Sequence, residues 1–185
     1  CKKACDNVLS VLMPCQSAQN YGQDTRDALD AAAQYGIETV TVDLTAVKSA
    51  IMDEVGKVCD VSSQAQVNIA PRLRMTTLYT IAQTRGCLVA GTGNRSEAQM
   101  GYFTKWGDGA YDFNPISDLT VTEVYEFLDF LGAPESIRTK APSAGLYEGQ
   151  TDEKDLGISY AEIDRYLLTG EGNASVVEKI RSAQA

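Results

Sequence analysis

Apolar positions along the chain fall into two kinds of pattern, short unbroken runs and helical stripes, and their alternation predicts an α/β fold. Val8-Leu9-Ser10-Val11-Leu12-Met13 is a run stopped by Pro14, so it reads as a buried strand opening into a surface loop over 15–23. From Asp24 onward, Ala28, Leu29, Ala32 and Ala33 recur at helical spacing, and Gly36 supplies a stop. Thr39-Val40-Thr41-Val42-Asp43-Leu44 is β-branched and bounded by turn signals, which makes it a second strand. Val47, Ile51 and Val55 share one face of the next helix. Pro71 to Arg85 reads as a long helix burying Met75, Leu78, Ile81 and Ala82; Gly86 ends it, and Cys87 to Ala90 reads as a third strand.

This order, with helices between short apolar strands, predicts a parallel sheet covered by helices, with a ligand crevice beyond the strand C-termini. Met13-Pro14, Asp43 and Gly91-Thr92 fall at such ends. Further on, Val121, Val124, Leu128 and Leu131 form a core stripe closed by Gly132 and Pro134. Residues 141–145 and 149–153 read as loops. Ser159 precedes Glu162 by three positions, a capping-box pattern that opens a helix reaching Leu168. A last helix runs from Ala174 through Gln184-Ala185.

Composition narrows the function. With 185 residues, 44% apolar and 22% charged, the chain fits a single globular domain. No apolar run approaches the roughly 20 residues that cross a bilayer, and no segment reads as a signal peptide, so the expectation is a cytoplasmic protein without membrane contact. A net charge of −9 disfavours nucleic-acid binding, which needs a basic surface, but says little about small phosphorylated ligands. The five cysteines contain no C-x-x-C pair, and the Cys1/Cys5 spacing alone is weak evidence for zinc; reduced buried thiols are the better reading. The absence of histidine excludes Ser-His-Asp and Cys-His catalysis and a histidine general base. Carboxylates, lysine, arginine, hydroxyls and metal must carry any chemistry.

Such groups concentrate after Leu88-Val89-Ala90, in Gly91-Thr92-Gly93-Asn94-Arg95-Ser96-Glu97 and on through Gly101 to Asp112. Gly91 and Gly93 lack side chains that would keep an anion from their N–H groups, and Glu97 can hold a hard cation such as Mg²⁺.

Five segments together resemble ammonia-dependent NAD synthetase: Gly-Thr-Gly-Asn-Arg-Ser-Glu at 91–97, Gly-Tyr-Phe-Thr-Lys-Trp-Gly-Asp-Gly at 101–109, Asn114-Pro115-Ile116, Ala141-Pro142-Ser143-Ala144-Gly145-Leu146 and Gly149-Gln150-Thr151-Asp152-Glu153. Arg72-Leu73-Arg74-Met75 and Leu12-Met13-Pro14 fit the same family. The resemblance implies a doubly wound α/β domain of the adenine-nucleotide α-hydrolase (ATP pyrophosphatase) type, spanning residues 1–185 and working as a homodimer. It implies a ligase that converts deamido-NAD, ATP and ammonia into NAD, AMP and pyrophosphate through an acyl-adenylate. By position, Thr92 and Ser143 would contact ATP, Glu97 would bind Mg²⁺, and Arg72, Lys105 and Asp112 would hold deamido-NAD. Asp108 would bind ammonium or take its proton. Alternatives are another ATP pyrophosphatase of this fold and a noncatalytic nucleotide-binding domain.

The residues also have plainer readings. Thr92 can be a helix N-cap, Ser143 a turn residue, Arg72 a partner for a surface carboxylate, and Lys105 a cation over Trp106. Tyr79 can face substrate or the core, and residues 147–153 can be a lid or a surface loop. The family's Ser-Gly-Gly-x-Asp-Ser phosphate loop occurs nowhere in the chain, and neither does its C-terminal His-Lys pair. The expectation is that both, with the first strand, lie beyond this sequence. Val121 stands where many members carry a lysine.

Overall fold

Leu9–Leu12 (β1) and Glu38–Thr41 (β2) pair in parallel, with Leu9 opposite Glu38 and Leu12 opposite Thr41. The pairing is seen in a computed structural model that describes residues 1–18, 20–147 and 149–183. Two compact units divide the chain: residues 1–87 with 145–149, and residues 88–144 with 150–185.

In the first unit, β1 and β2 are joined by a π-helical turn over Asn20–Asp24 and helix α1, Thr25–Tyr35. Gly36 ends α1 at φ 64°, where glycine meets no steric penalty. The ladder continues past the strands through Val42 N–H to Leu12 O (2.8 Å) and Leu44 N–H to Pro14 O (2.9 Å). Helices α2 (Thr45–Gly56) and α3 (Ser63–Arg85) follow. Cys15, Leu44 and Ala70 are buried together, with Met13, Val42, Leu73 and Leu146 packed around them.

Two expectations change here. Helix α3 starts at Ser63, about two turns before Pro71, which lies inside it. Its first six residues, Ser63 to Asn68, are mostly polar and give little apolar periodicity, so Pro71 looked like the start; the actual signal is Ser62, whose side chain accepts from Ala65 N–H. The segment read as a surface loop also has buried members, since Cys15 is in the core and Asn20 is held on three sides. The Asn20 amide donates to Asp24 Oδ2 (2.9 Å) and Gly145 O (3.1 Å), and its Oδ1 accepts from Arg74 Nη2 (3.0 Å). Gln19 and Glu148, within the two expected loops, and the expected helical end at Gln184-Ala185 lie outside the described residues.

The second unit holds α4 (Arg95–Met100), α5 (Val121–Leu131), α6 (Glu135–Arg138), α7 (Asp152–Leu156), α8 (Tyr160–Thr169) and α9 (Ala174–Ser182). Its core is Val121, Ile158, Tyr160, Ile163, Val176 and Ile180. The capping box at Ser159/Glu162 forms as expected. The third strand does not. Ala90 alone makes a parallel bridge, to Phe113, because the Asp112 carboxylate takes the Val89 N–H (2.7 Å) in place of a ladder carbonyl. Among the described residues the sheet therefore has two strands, and the architecture is α/β with a parallel pair.

A buried carboxylate locks the helices of this unit. Asp164, 2% exposed, accepts from Ser96 Oγ (2.5 Å) through Oδ1 and from Thr122 N–H (2.7 Å) and Oγ1 (2.6 Å) through Oδ2. Ser96 Oγ in turn accepts from Val121 N–H (3.2 Å). The first turns of α4 and α5 are thus tied to α8. Asp164→Ala takes the acceptor from the buried Ser96 hydroxyl and from Thr122, and the expected cost is about 2–4 kcal/mol. Urea unfolding measures it; a loss within ~0.5 kcal/mol would show that the network does not hold the helices.

Candidate functional site

The site is built where residues 88–93 run beside residues 111–114. Val89 and Asp112 clamp each other, with Asp112 N–H to Val89 O (2.9 Å) and Val89 N–H to Asp112 Oδ2. Gly91 N–H donates to Phe113 O (2.7 Å), and Asn114 Nδ2 donates to Gly93 O (2.7 Å). These bonds correct the expectation that Gly91 offers its N–H to an anion, because that donor is already paired. Gly91 is glycine for a different reason: a Cβ there would lie 2.5 Å from the Tyr111 ring. At Gly93 the nearest atom to such a Cβ is Glu97 Oε2, at 3.8 Å.

Helix α4 begins with a capping box. Asn94 Oδ1 accepts from Glu97 N–H (3.0 Å), and Glu97 Oε2 accepts from Asn94 N–H (2.7 Å). Asn94, not Thr92, is the N-cap. Thr92 is exposed at the turn before it. The Glu97 carboxyl is pushed up to about 7, first by burial and then by the charges of Asp152 and Asp108, against the Asn94 bond that lowers it.

Residues 101–110 coil around buried Thr104. Gly107 N–H (2.9 Å) and Gly109 N–H (3.3 Å) both reach Thr104 O, and Thr104 N–H donates to Asp108 Oδ1 (3.0 Å). One oxygen of Asp108 therefore shapes this coil while the residue stays exposed. Lys105 Nζ stands 5.7 Å from the Trp106 ring centroid, which makes its plain cation–π reading real.

Ser143 sits in a pinched loop. Its Oγ donates to Gln150 O (2.8 Å), Asp152 N–H donates to Pro142 O (3.1 Å), and Ala144 N–H donates to Asp152 Oδ1 (3.1 Å). Asp152, 2% exposed, also accepts from Tyr160 Oη (3.1 Å), and burial raises its pKa. Alongside, Tyr102 Oη (2.8 Å) and Gln150 Nε2 (2.8 Å) donate to Asp155 Oδ2. Burial raises both tyrosines, so their hydroxyls remain donors.

The second unit thus contains Thr92, Glu97, Lys105, Asp108, Asp112 and Ser143, and the charges of Asp108 and Asp152 are felt at Glu97. Arg72 belongs to the first unit, exposed on α3, and Tyr79 is half-buried on the same helix. Sequence reasoning gave no role to Asp152, Tyr102, Tyr160 or Asp155. Asp152 stood inside a quoted motif, but its burial has no signature in sequence.

Magnesium fits as a partly protein-held ion. Among the described residues no three histidine, cysteine or carboxylate side chains form a cage. Glu97 nevertheless offers a hard oxygen donor in a field made negative by two further carboxylates, and Mg²⁺ is commonly held by one or two carboxylates plus phosphate and water.

The model of the NAD synthase family matches residues 1–185, and the chain belongs to that family. It is 48% identical to an NH(3)-dependent NAD(+) synthetase of Carboxydothermus hydrogenoformans over 95% of this chain and 72% of the relative. It is 44% identical to one of Methanococcoides burtonii over 95% of this chain and 67% of the relative. Among solved structures, an NMN synthetase from Francisella tularensis superposes with TM-score 0.88 at 36% identity, covering 95% of this chain and 72% of that one. An NH3-dependent NAD synthetase from Campylobacter jejuni, solved with a nitrate ion, does so with TM-score 0.76 at 27% identity, covering 99% and 75%.

The raised Glu97 pKa has a signed consequence. Between its ordinary 4.5 and about 7 the folded state binds the proton that the unfolded state has released. Without metal, stability therefore falls as pH rises through that window, by on the order of 2 kcal/mol. In urea titrations from pH 4.5 to 8, Glu97→Gln should flatten this slope; equal slopes in both proteins refute the assignment.

Proposed function

We propose that the protein joins ammonia to the nicotinate carboxylate of deamido-NAD, using ATP and releasing AMP and pyrophosphate, the closing step of NAD biosynthesis. The observation that carries this reading is the match of the whole chain to the NAD synthase family. The fold we assign is the doubly wound ATP-pyrophosphatase type, acting as a homodimer in the cytoplasm, with free ammonia as nitrogen donor.

The chemistry brings two anions together and stabilises a departing pyrophosphate, so positioning and charge neutralisation do most of the work. A carboxylate oxygen of deamido-NAD bonds to the α-phosphorus of ATP, and the bond to pyrophosphate breaks. Ammonia nitrogen then bonds to the acyl carbon, AMP leaves, and one nitrogen-bound proton is lost. Magnesium, when bound, neutralises phosphate charge; Glu97 is the carboxylate that would hold it.

The chain's own groups fit the remaining tasks. Exposed Thr92 offers a hydroxyl to ATP just past the Ala90 bridge, and Ser143 offers another. Arg72 and Lys105 are cations for the dinucleotide's anionic groups, and Asp112 accepts hydrogen bonds from its ribose or amide donors. Asp108 Oδ1 is held by Thr104 N–H, which fixes the carboxylate so that Oδ2 can accept from ammonium or receive its proton. The low-charge alternative, a histidine base, is absent from the chain.

The test uses the protein encoded by the complete gene, supplied with ATP, Mg²⁺ and ammonium. Pyrophosphate release should rise on adding deamido-NAD. Nicotinate mononucleotide is the necessary comparison, given the likeness to the Francisella NMN synthetase, and preference for it would move the assignment to that substrate. Stimulation by neither acid overturns the reading. Glu97→Gln should lower kcat by about 100-fold or more. Asp108→Asn should lower amide formation by about 100-fold while sparing ATP–pyrophosphate exchange, which measures adenylation alone. Loss of both half-reactions together would remove Asp108 from the ammonia step.

A further inference from the structure

Gln150 is 6% exposed, and its main chain and side chain are held by different partners. Its backbone carbonyl accepts from Ser143 Oγ (2.8 Å). Its side-chain amide donates to Asp155 Oδ2 (2.8 Å) and to Tyr102 Oη (3.3 Å). The Tyr102 hydroxyl gives its proton to the same Asp155 oxygen (2.8 Å). The side chains of Gln150, Tyr102 and Asp155 thus close a triangle in which both amide hydrogens and the phenolic hydrogen are spent. Burial, and after it the bond to Asp155, raises the Tyr102 pKa, so the phenol stays a donor across the neutral range.

The triangle joins separate parts of the second unit. Tyr102 follows Gly101, which ends α4, and its N–H donates to Glu97 O (2.9 Å), so its ring leaves the chain directly after the helix that carries Glu97. Asp155 lies on α7. Gln150 is the returning stem of the loop that presents Ser143. That stem is closed by the Ser143 bond to Gln150 O, by Asp152 N–H to Pro142 O and by Ala144 N–H to Asp152 Oδ1. Only the first of these is surrendered when the Ser143 hydroxyl turns to a phosphate. The Gln150 carbonyl then loses that donor, and the side-chain triangle goes on holding residue 150.

We propose that Gln150 and Tyr102, joined through Asp155, are positioning residues for Ser143, holding residue 150 in place while the Ser143 hydroxyl exchanges its bond to Gln150 O for one to an ATP phosphate. The inference rests on the assignment of Ser143 to ATP made above and names the groups that keep that exchange local. With the triangle intact, the two states of Ser143 differ by the rotation of one hydroxyl. Without it, giving up the Ser143 bond loosens the stem, and ATP must order the loop again on each binding event. The three side chains act through Ser143 and not on the reacting atoms, so their effect falls on KM for ATP and not on kcat.

Steady-state kinetics test this on the protein encoded by the complete gene, with ammonium and the preferred nicotinate substrate saturating. Ser143→Ala should raise KM for ATP about tenfold. Tyr102→Phe, which keeps the ring, and Gln150→Met, which keeps the volume, should each raise it about three- to fivefold with kcat changed less than about twofold. Asp155→Asn retains an acceptor oxygen and should stay within about twofold of wild type, whereas Asp155→Ala should match Tyr102→Phe. The deciding comparison is a double-mutant cycle: added to Ser143→Ala, Tyr102→Phe and Gln150→Met should each change KM for ATP by less than about 1.5-fold, because the group they position is gone. Urea unfolding shows which variants are folded, and Tyr102→Phe carries the cycle alone if Gln150→Met is not. Increments that persist undiminished beside Ser143→Ala, or a KM for the nicotinate substrate that rises as much as that for ATP, make the triangle a support of the fold only and overturn the proposal. An unchanged KM for ATP in Tyr102→Phe and Gln150→Met overturns it as well and leaves the amidation reading standing. A wild-type protein that turns over neither deamido-NAD nor nicotinate mononucleotide removes the amidation reading, and this inference with it.

Discussion

The candidate site depends on the reciprocal clamp between Val89 and Asp112. Two hydrogen bonds, at 2.9 and 2.7 Å, hold the end of one chain segment against another that is remote in sequence. Thr92, Glu97, Lys105 and Asp108 all lie within the span that the clamp closes, residues 89–112. The Gly91–Glu97 turn leaves its first arm, the coil around Thr104 fills its middle, and Tyr111 packs on Gly91 at its base. A carboxylate side chain, not a strand carbonyl, accepts the Val89 N–H. That choice stops the ladder after one bridge and frees the backbone to turn. The same side chain is expected to face the substrate, so one oxygen of Asp112 is structural whatever the other does.

The second constraint is charge. Glu97 and Asp152 are partly or wholly buried in the same unit, burial raises both, and the charges of Asp152 and Asp108 raise Glu97 further. The hydrogen bonds that satisfy them come from neutral groups: backbone N–H of Asn94, Ala144 and Thr104, and the hydroxyl of Tyr160. Neutral donors leave the negative charge around Glu97 unbalanced, which is the physical basis for proposing a cation there.

How far the sequence foretold this differs from place to place, for identifiable reasons. Strands β1 and β2 and the stops at Gly36, Gly86 and Gly132 were legible because apolar runs and left-handed glycines leave local marks. The start of α3 was not, since its first turns are polar and Pro71 imitates a helix start. The third strand failed because the competing acceptor for Val89, the Asp112 side chain, is distant in sequence. Thr92 looked like an N-cap, and the reciprocal Asn94–Glu97 pair took the role instead. The site residues were readable only as motifs; that Asp152 is buried, that Gly91 N–H is paired and that Tyr102 meets Asp155 are facts of tertiary structure.

The loop bearing Ser143 shows how geometry changes a role inferred from a motif. Its hydroxyl proton points at Gln150 O, so Ser143 cannot donate to a phosphate without giving up that bond. The exchange is inexpensive, because one neutral hydrogen bond is traded for a charge-assisted one, which is roughly twice as strong. What must not move is the stem that keeps Ser143 in reach, and that stem is held by Asp152 through Ala144 N–H and Pro142 O. Asp152 is itself fixed from the core side by Tyr160. The division of labour follows from burial: the half-buried hydroxyl can change partners, and the carboxylate beneath it, closed off from water, cannot.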